Sequence, residues 1–189
     1  MKAVILAGGP GKHMEPLTEG FPKPLLRVAG VPLIEYAIRG LESAGATEYI
    51  VVVSDKHVAE YVEERLSLKS TIVEQSRQEI EGALADAAEY VSPGEHFILA
   101  FSDIVAPPEM YRQLVSTYST SGATAALTVV PVVDAETYGV ARINFSLGKI
   151  TGVVEKPPPR RSPSSLALGG AYVLPYRVAE AVMNGLSLP

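Results

Sequence analysis

Residues 1–16 read MKAVILAGGPGKHMEP. Five apolar residues, Ala3 to Ala7, run without a break into Gly8, Gly9 and Gly11, and then into Lys12 and His13. An apolar run this short and this continuous predicts a strand buried on both faces, as in a parallel sheet. Glycines leaving such a strand let backbone N–H groups approach phosphate oxygens, because no Cβ stands in the way. Two common phosphate loops are excluded by spacing. A dinucleotide-binding loop begun at Gly9 and Gly11 wants a third glycine at 14, where the chain has Met14. A Walker loop ending at Gly11-Lys12 wants glycine at 6 and Ser or Thr at 13, where Leu6 and His13 stand.

Outward from this loop, strands and helices alternate. Pro32 is a favoured first helical residue, Leu33, Tyr36, Ala37, Leu41 and Ala44 share a face, and Gly45 is placed to end the helix. A strand Tyr49 to Val53, a helix from Asp55 to about Leu66 and a short strand Thr71 to Glu74 follow. Ile80, Leu84, Ala87 and Val91 define another amphipathic helix, which leads to a strand Phe97 to Phe101. This alternation implies right-handed crossovers and a mostly parallel sheet covered on both faces, an α/β fold. From about 123 the texture becomes β-rich, with segments Ala125 to Val133, Tyr138 to Asn144, Ile150 to Glu155 and Leu168 to Leu174. The stretch 157–165 is a proline- and serine-rich loop, and a last helix runs from about Arg177 to Asn184. Ligands of open parallel sheets bind outside the carboxyl ends of strands, so the loops after Ala7 and Phe101 are the places to search.

Composition narrows the function. The chain has 189 residues and a net charge of -5, which argues against a nucleic-acid partner or an acidic membrane surface. With no cysteine there is no disulfide and no thiolate metal site, so any metal is a hard cation on carboxylates, and a reducing cytoplasm is the expected compartment. The start reads as mature protein rather than a signal peptide. Gln113 to Val133 carries no charge, but its serines, threonines, Gly122 and Pro131 make it too polar and broken to span lipid.

Taken in order, LAGGPG, EPLT, FPKPLLRVAGVPLIEYAI, FSDIVAP, YGVARINFSLGKITGVVEKP and GGAYVL resemble the sugar-1-phosphate nucleotidyltransferase family over nearly the whole chain. That family includes glucose-1-phosphate thymidylyl- and uridylyltransferases and mannose-1-phosphate guanylyltransferases. The resemblance implies a single domain of three-layer, Rossmann-like nucleotidyltransferase fold, with 1–122 binding nucleotide and a β-rich 123–189 binding sugar phosphate. It implies attack by a sugar-1-phosphate oxygen on the α-phosphorus of a nucleoside triphosphate, releasing pyrophosphate. Leu6, Ala7, Gly8, Gly9, Gly11 and Lys12 would then lie along the triphosphate, and Gln75 and Gly82 beside the base. Lys23, between two prolines, would be a point charge on the phosphates, and Asp103 the ligand of Mg2+. Gly139, Glu155, Lys156 and Gly170 would hold the sugar phosphate, Glu155 on its hydroxyls and Lys156 on its phosphate.

Three departures accompany the likeness. His13 stands where the family has an arginine that is always charged, whereas a histidine of ordinary pKa is largely neutral at pH 7. Glu79, Ile80 and Glu81 precede Gly82 where the family has a Gly-Thr-Ala turn, so base preference does not carry over. The family continues past its GIYV strand to a second metal-binding aspartate, so this chain is either a fragment or lacks that ligand. Three functions are therefore weighed: an active nucleotidyltransferase, a weak or inactive paralogue that binds nucleotide or nucleotide sugar and regulates an active partner, and nucleotidyl transfer to an acceptor other than a sugar phosphate. A homo-oligomer and a complex with such a partner both stay open.

Overall fold

The computed structural model describes residues 1–9, 11–65 and 69–185, without the side chains of His13 and Arg65. The described chain divides into two compact units, one formed by residues 1–126 with 171–185, the other by Leu127–Gly170.

The first unit is built on strands β1 (Lys2–Ala7), β4 (Glu48–Val53), β5 (Ser70–Glu74) and β6 (His96–Phe101), which lie parallel in the order β5-β4-β1-β6. A short antiparallel ribbon, β2 (Arg27–Val28) and β3 (Val31–Pro32), precedes the first helix. Strand β10 (Leu166–Pro175) enters this unit at Ala171 and runs antiparallel to β6, Ala171 opposite Ala100 and Pro175 opposite His96. Helices α1 (Leu33–Ser43), α2 (Lys56–Arg65), α3 (Ile80–Ala88), α4 (Pro108–Ser121) and α5 (Tyr176–Met183) complete it. Leu66, where the sequence ends the second helix, lies outside the described residues.

The apolar run at the start of the chain is the central strand, paired on both sides, with Ala3 to Ile5 at 0% exposure. Because strand residues alternate in direction, Ala3, Ile5 and Ala7 share one core with Ile34, Ile38 and Leu41 of α1, Val58 and Val62 of α2, and Tyr111 and Leu114 of α4. Helix α3 packs against β1 and β4 and against α5. Each such aliphatic side chain contributes roughly 1.5–3 kcal/mol by leaving water, which is what fixes β1 between its helical layers.

Helix α4 fills a segment to which the sequence reading assigned no element. Its stretch 113–121 has no charge and only Tyr111 and Leu114 are buried, so the apolar stripe is too thin for periodicity to show. Pro107 and Pro108 start it and Gly122, at φ 63°, ends it. Among the described residues no helix is long and apolar enough to cross a membrane.

The second unit contains β7 (Ala126–Pro131), which pairs with β10, and the hairpin of β8 (Gly139–Asn144) and β9 (Lys149–Glu155). Strand β8 also pairs antiparallel with β10 at Val140 and Ala167.

Candidate functional site

Four loops leave the carboxyl ends of β1, β4, β5 and β6 and meet around a cleft of about 760 Å³ in the first unit. Leu6, Gly8, Gly9, Gly11, Lys12, Lys23, Gln75 and Asp103, all named from sequence, line it. Ala7 is buried in the core and Gly82 is covered by Arg77, so neither lines the cleft.

Each glycine of the loop has its own job. Gly8 gives its carbonyl to the Ser54 hydroxyl at 2.7 Å. The Gln75 carboxamide oxygen occupies the space a Cβ on Gly8 would need, so this residue is glycine because a neighbouring side chain sits on it. Gly9 has no atom within 4 Å of where its Cβ would be and faces open space. Gly11 is left-handed at φ 67°, and its carbonyl accepts from the Thr18 hydroxyl at 2.9 Å and from the Met14 N–H at 2.8 Å. A side chain there would meet Thr18 Cγ2 at 2.8 Å and Lys23 Cβ at 3.1 Å. The EPLT and FPKPLL segments thus buttress the loop from below. Beyond Gly11 the backbone turns through Lys12–Met14, leaving Lys12 exposed at the rim. His13 belongs to this turn, and its side chain lies outside the described residues.

Lys23 opens a second short turn, Lys23–Leu25, with Pro22 extended before it and Pro24 buried after it. The prolines fix the backbone that presents its ammonium. That ammonium pairs with Oδ2 of Asp103, both side chains about a quarter exposed, at 26% and 30%. Asp103 follows β6 directly, where the Ser102 N–H extends the ladder to the Leu6 carbonyl at 3.1 Å.

The third wall is the loop from Gln75 to Glu79. Gln75 continues β5 by donating its backbone N–H to Val53 at 2.8 Å. Its side-chain Nε2 donates to the carbonyls of Arg77 at 2.7 Å and Glu79 at 3.1 Å. Both amide donors are therefore engaged by the loop itself. Asp86 on α3 closes the other side, accepting from the Ser76 N–H and hydroxyl, both at 2.7 Å. Glu79 precedes α3 at φ 83°, a backbone region that glycine favours and a glutamate enters at a cost of about 1–3 kcal/mol. Gly82 admits this arrangement, since a Cβ there would lie 2.6 Å from the Arg77 carbonyl. Thr18, Ser54 and Asp86 were missed from sequence, and only Thr18, inside a quoted motif, carried any signal.

The remaining predicted residues lie in the second unit. Gly139 and Glu155 are register partners across the hairpin, and a Cβ on Gly139 would meet Glu155 Oε2 at 2.9 Å. Lys156 is left-handed at φ 41°, donates its N–H to the Tyr138 carbonyl at 3.1 Å and holds its ammonium 3.8 Å from Glu155 Oε1. Gly170 is also left-handed, at φ 77°.

Among the described residues no group of three or more His, Asp or Glu side chains could enclose a metal. Asp103 is a lone carboxylate with one oxygen beyond its pair with Lys23. That suits a hard cation only in the manner of Mg2+, which takes one or two carboxylates and keeps the rest of its shell on phosphates and water.

The chain resembles proteins of known kind along its length. It is 30% identical to mannose-1-phosphate guanylyltransferase 1 of Arabidopsis thaliana over 165 residues, covering 83% of this chain and 45% of that one. With a glucose-1-phosphate thymidylyltransferase of Streptomyces antibioticus it shares 31% identity over 195 aligned residues, covering 96% of this chain and 51% of the relative. It thus spans about half the length of these relatives. A Bacillus anthracis structure described as a glucose-1-phosphate thymidylyltransferase in complex with sucrose superposes with a TM-score of 0.84 at 26% identity, covering all of this chain and 76% of that one. The model of the family described as nucleotidyl transferase matches residues 2–187, and the chain belongs to that family.

Proposed function

We propose that the protein transfers a nucleotidyl group from a nucleoside triphosphate to a sugar 1-phosphate, releasing pyrophosphate. The observation that carries this reading is the convergence of an open glycine backbone, Lys12, Lys23 and Asp103 on one cleft, in a chain of this family. Displacement at the α-phosphorus asks the protein mainly for alignment and for positive charge where the pyrophosphate departs. Gly9, with open space where a Cβ would stand, offers its backbone to phosphate oxygens at close range. Lys23 leaves Asp103 to neutralise phosphate charge, and Lys12 adds a second cation at the rim. Asp103, once released, would hold Mg2+ against the same phosphates, and the cation would supply Lewis-acid polarisation there. Ser54 and Thr18 keep the carbonyls of Gly8 and Gly11 occupied, so that these oxygens do not oppose the incoming anion.

In the second unit, Glu155 accepts from sugar hydroxyls and Lys156 pairs with the sugar's phosphate. The left-handed backbone at Lys156, unusual for a lysine, supports a presented rather than a merely solvated side chain. The second reading, a paralogue that binds without turnover, rests on His13 in the place of the family's arginine. Calorimetric titration of triphosphates, with pyrophosphate release followed on the same sample with Mg2+ and a panel of sugar 1-phosphates, separates the two. Release with any pair supports the enzyme; binding with no release from any pair supports the regulator.

A further inference from the structure

Glu79 ends the third wall of the cleft in a conformation that its residue type does not favour. A φ of 83° is a region glycine enters freely and a residue with a side chain enters only at a cost. The backbone is held there from several sides. The Glu79 carbonyl accepts from Gln75 Nε2 at 3.1 Å and from the Ala83 N–H at 3.3 Å, and the Arg77 carbonyl packs onto Gly82. Glycine would take this position without strain, so what a glutamate adds is its carboxylate. That carboxylate is not consumed locally. It makes no capping bond to α3, and among the described residues it has neither a hydrogen-bond donor nor a cation as partner. The rest of the wall has less to offer a base. Gln75 has spent both amide hydrogens on the loop, and the Ser76 hydroxyl donates to Asp86. Arg77 and Gln78 line the cleft from backbone outside the left-handed region. Ile80, exposed beside Glu79, supplies apolar surface against which a planar ring can lie.

We propose that Glu79 is the base-selecting residue of this cleft and that the nucleotide it selects carries guanine. This inference rests on the reading that the triphosphate lies along Gly9, Lys12 and Lys23, which leaves the wall from Gln75 to Ile80 to the base. An ionised carboxylate accepts at two oxygens and donates at neither. Guanine presents two adjacent donors, N1–H and the 2-amino group, and so engages both oxygens at once in charge-assisted bonds. Adenine and cytosine set their amino group beside a ring nitrogen that is itself an acceptor, and uracil and thymine have a single N–H between two carbonyls. Each of these brings an acceptor against the carboxylate, so the same group that attracts guanine rejects the others.

The test is calorimetric titration of GTP, ITP, ATP, CTP and UTP into the full chain, without sugar 1-phosphate, so that binding alone is read. GTP is expected to bind about tenfold or more tightly than ATP, CTP or UTP, the worth of one bidentate pair, with ITP, which lacks only the 2-amino group, in between. Glu79→Gly removes the carboxylate, keeps the carbonyl that Gln75 and Ala83 use, and relieves the backbone, so it is expected to melt no lower than the parent. In that variant GTP should fall to the level of the other triphosphates, while those hold or gain. Another base bound by the parent as tightly as guanine, or a guanine preference that survives Glu79→Gly, overturns the role of Glu79 and leaves the phosphate reading standing. A parent that binds none of the five overturns both.

Discussion

Gly8→Ala tests the loop's construction without touching a charge. The new Cβ would occupy the place of the Gln75 carboxamide oxygen, while its next neighbour, Ser54 Cβ at 3.5 Å, accepts a methyl at ordinary contact distance. The strain therefore falls on one flexible side chain, which must leave. In leaving, Gln75 gives up its bonds to the Arg77 and Glu79 carbonyls, both on the exposed side of the loop. Each such bond is worth about 0.5–1.5 kcal/mol net, and exposure puts these at the lower end, so the cost is roughly 1–2 kcal/mol. With a urea slope of about 2 kcal/mol/M, the unfolding midpoint moves down by about 0.5–1 M. Gly9→Ala, which meets nothing within 4 Å, is the control and is expected to shift it by much less. The decisive measurement is the cycle with Gln75→Ala. Without a carboxamide to displace, Gly8→Ala should cost almost nothing, a coupling of about 1–2 kcal/mol. If Gly8→Ala is as costly in the Gln75→Ala background as in the parent, Gln75 is not what makes position 8 a glycine.

Replacing His13 with arginine restores a permanent charge, and pyrophosphate release should rise by up to about 10²–10³-fold, the worth of one preorganised donor. Because an arginine stays charged throughout, His13→Arg should show a flatter pH dependence of release than the parent; no gain at any pH favours the regulator reading. Lys156→Ala should weaken sugar 1-phosphate at least tenfold more than triphosphate, measured by calorimetry on each ligand, and equal losses would count against its assignment. The Ser92 N–H, followed by the Lys2 ammonium, holds Glu95 below its ordinary 4.5. A depressed folded-state value stabilises above about pH 4.5 and is lost as pH falls through the lower one, so Glu95→Gln should flatten the dependence of melting temperature on pH below 4.5.

What could be read in advance follows from how local each signal is. The strand β1 and its glycines are adjacent in sequence, and the alternation of apolar runs with amphipathic windows is enough to place β4, β5 and β6 beside them. Lys23 between prolines and Asp103 at a strand end also carry their meaning locally. Their pairing does not, since it joins residues 80 apart through two separate loops. The seat of Gln75 on Gly8 and the seat of Tyr111 on Gly40 are likewise long-range, and both are recorded only as an absent Cβ on the partner. A sequence shows that a glycine is there; it does not show what fills the space. Ser54 and Asp86 act on backbone groups far along the chain, and no periodicity marks a residue for that.

On the proposed reading, the pairing of Lys23 with Asp103 sets a threshold for the anion that enters the cleft. At rest the ammonium is already opposed by the Asp103 carboxylate in close contact, both side chains being about a quarter exposed. A phosphate monoester carries roughly −1.5 to −2 at pH 7, up to twice the charge of the carboxylate it must replace, so exchanging one for the other gains only part of what a polyphosphate offers. A triphosphate brings more charges, and Lys12 and the open backbone at Gly9 line the same cleft, so on this reading it has the most to set against the pair. Affinities should therefore fall steeply from tri- to di- to monophosphate of one nucleoside. Asp103→Asn, which keeps the shape but removes the competing charge, should compress that order chiefly by improving monophosphate binding, about tenfold or more in metal-free buffer. Competitive calorimetry across the three nucleotides checks it. If Asp103→Asn leaves monophosphate binding where it was, the ion pair is not the barrier, and selection for triphosphate must come from the glycine loop and Lys12 alone.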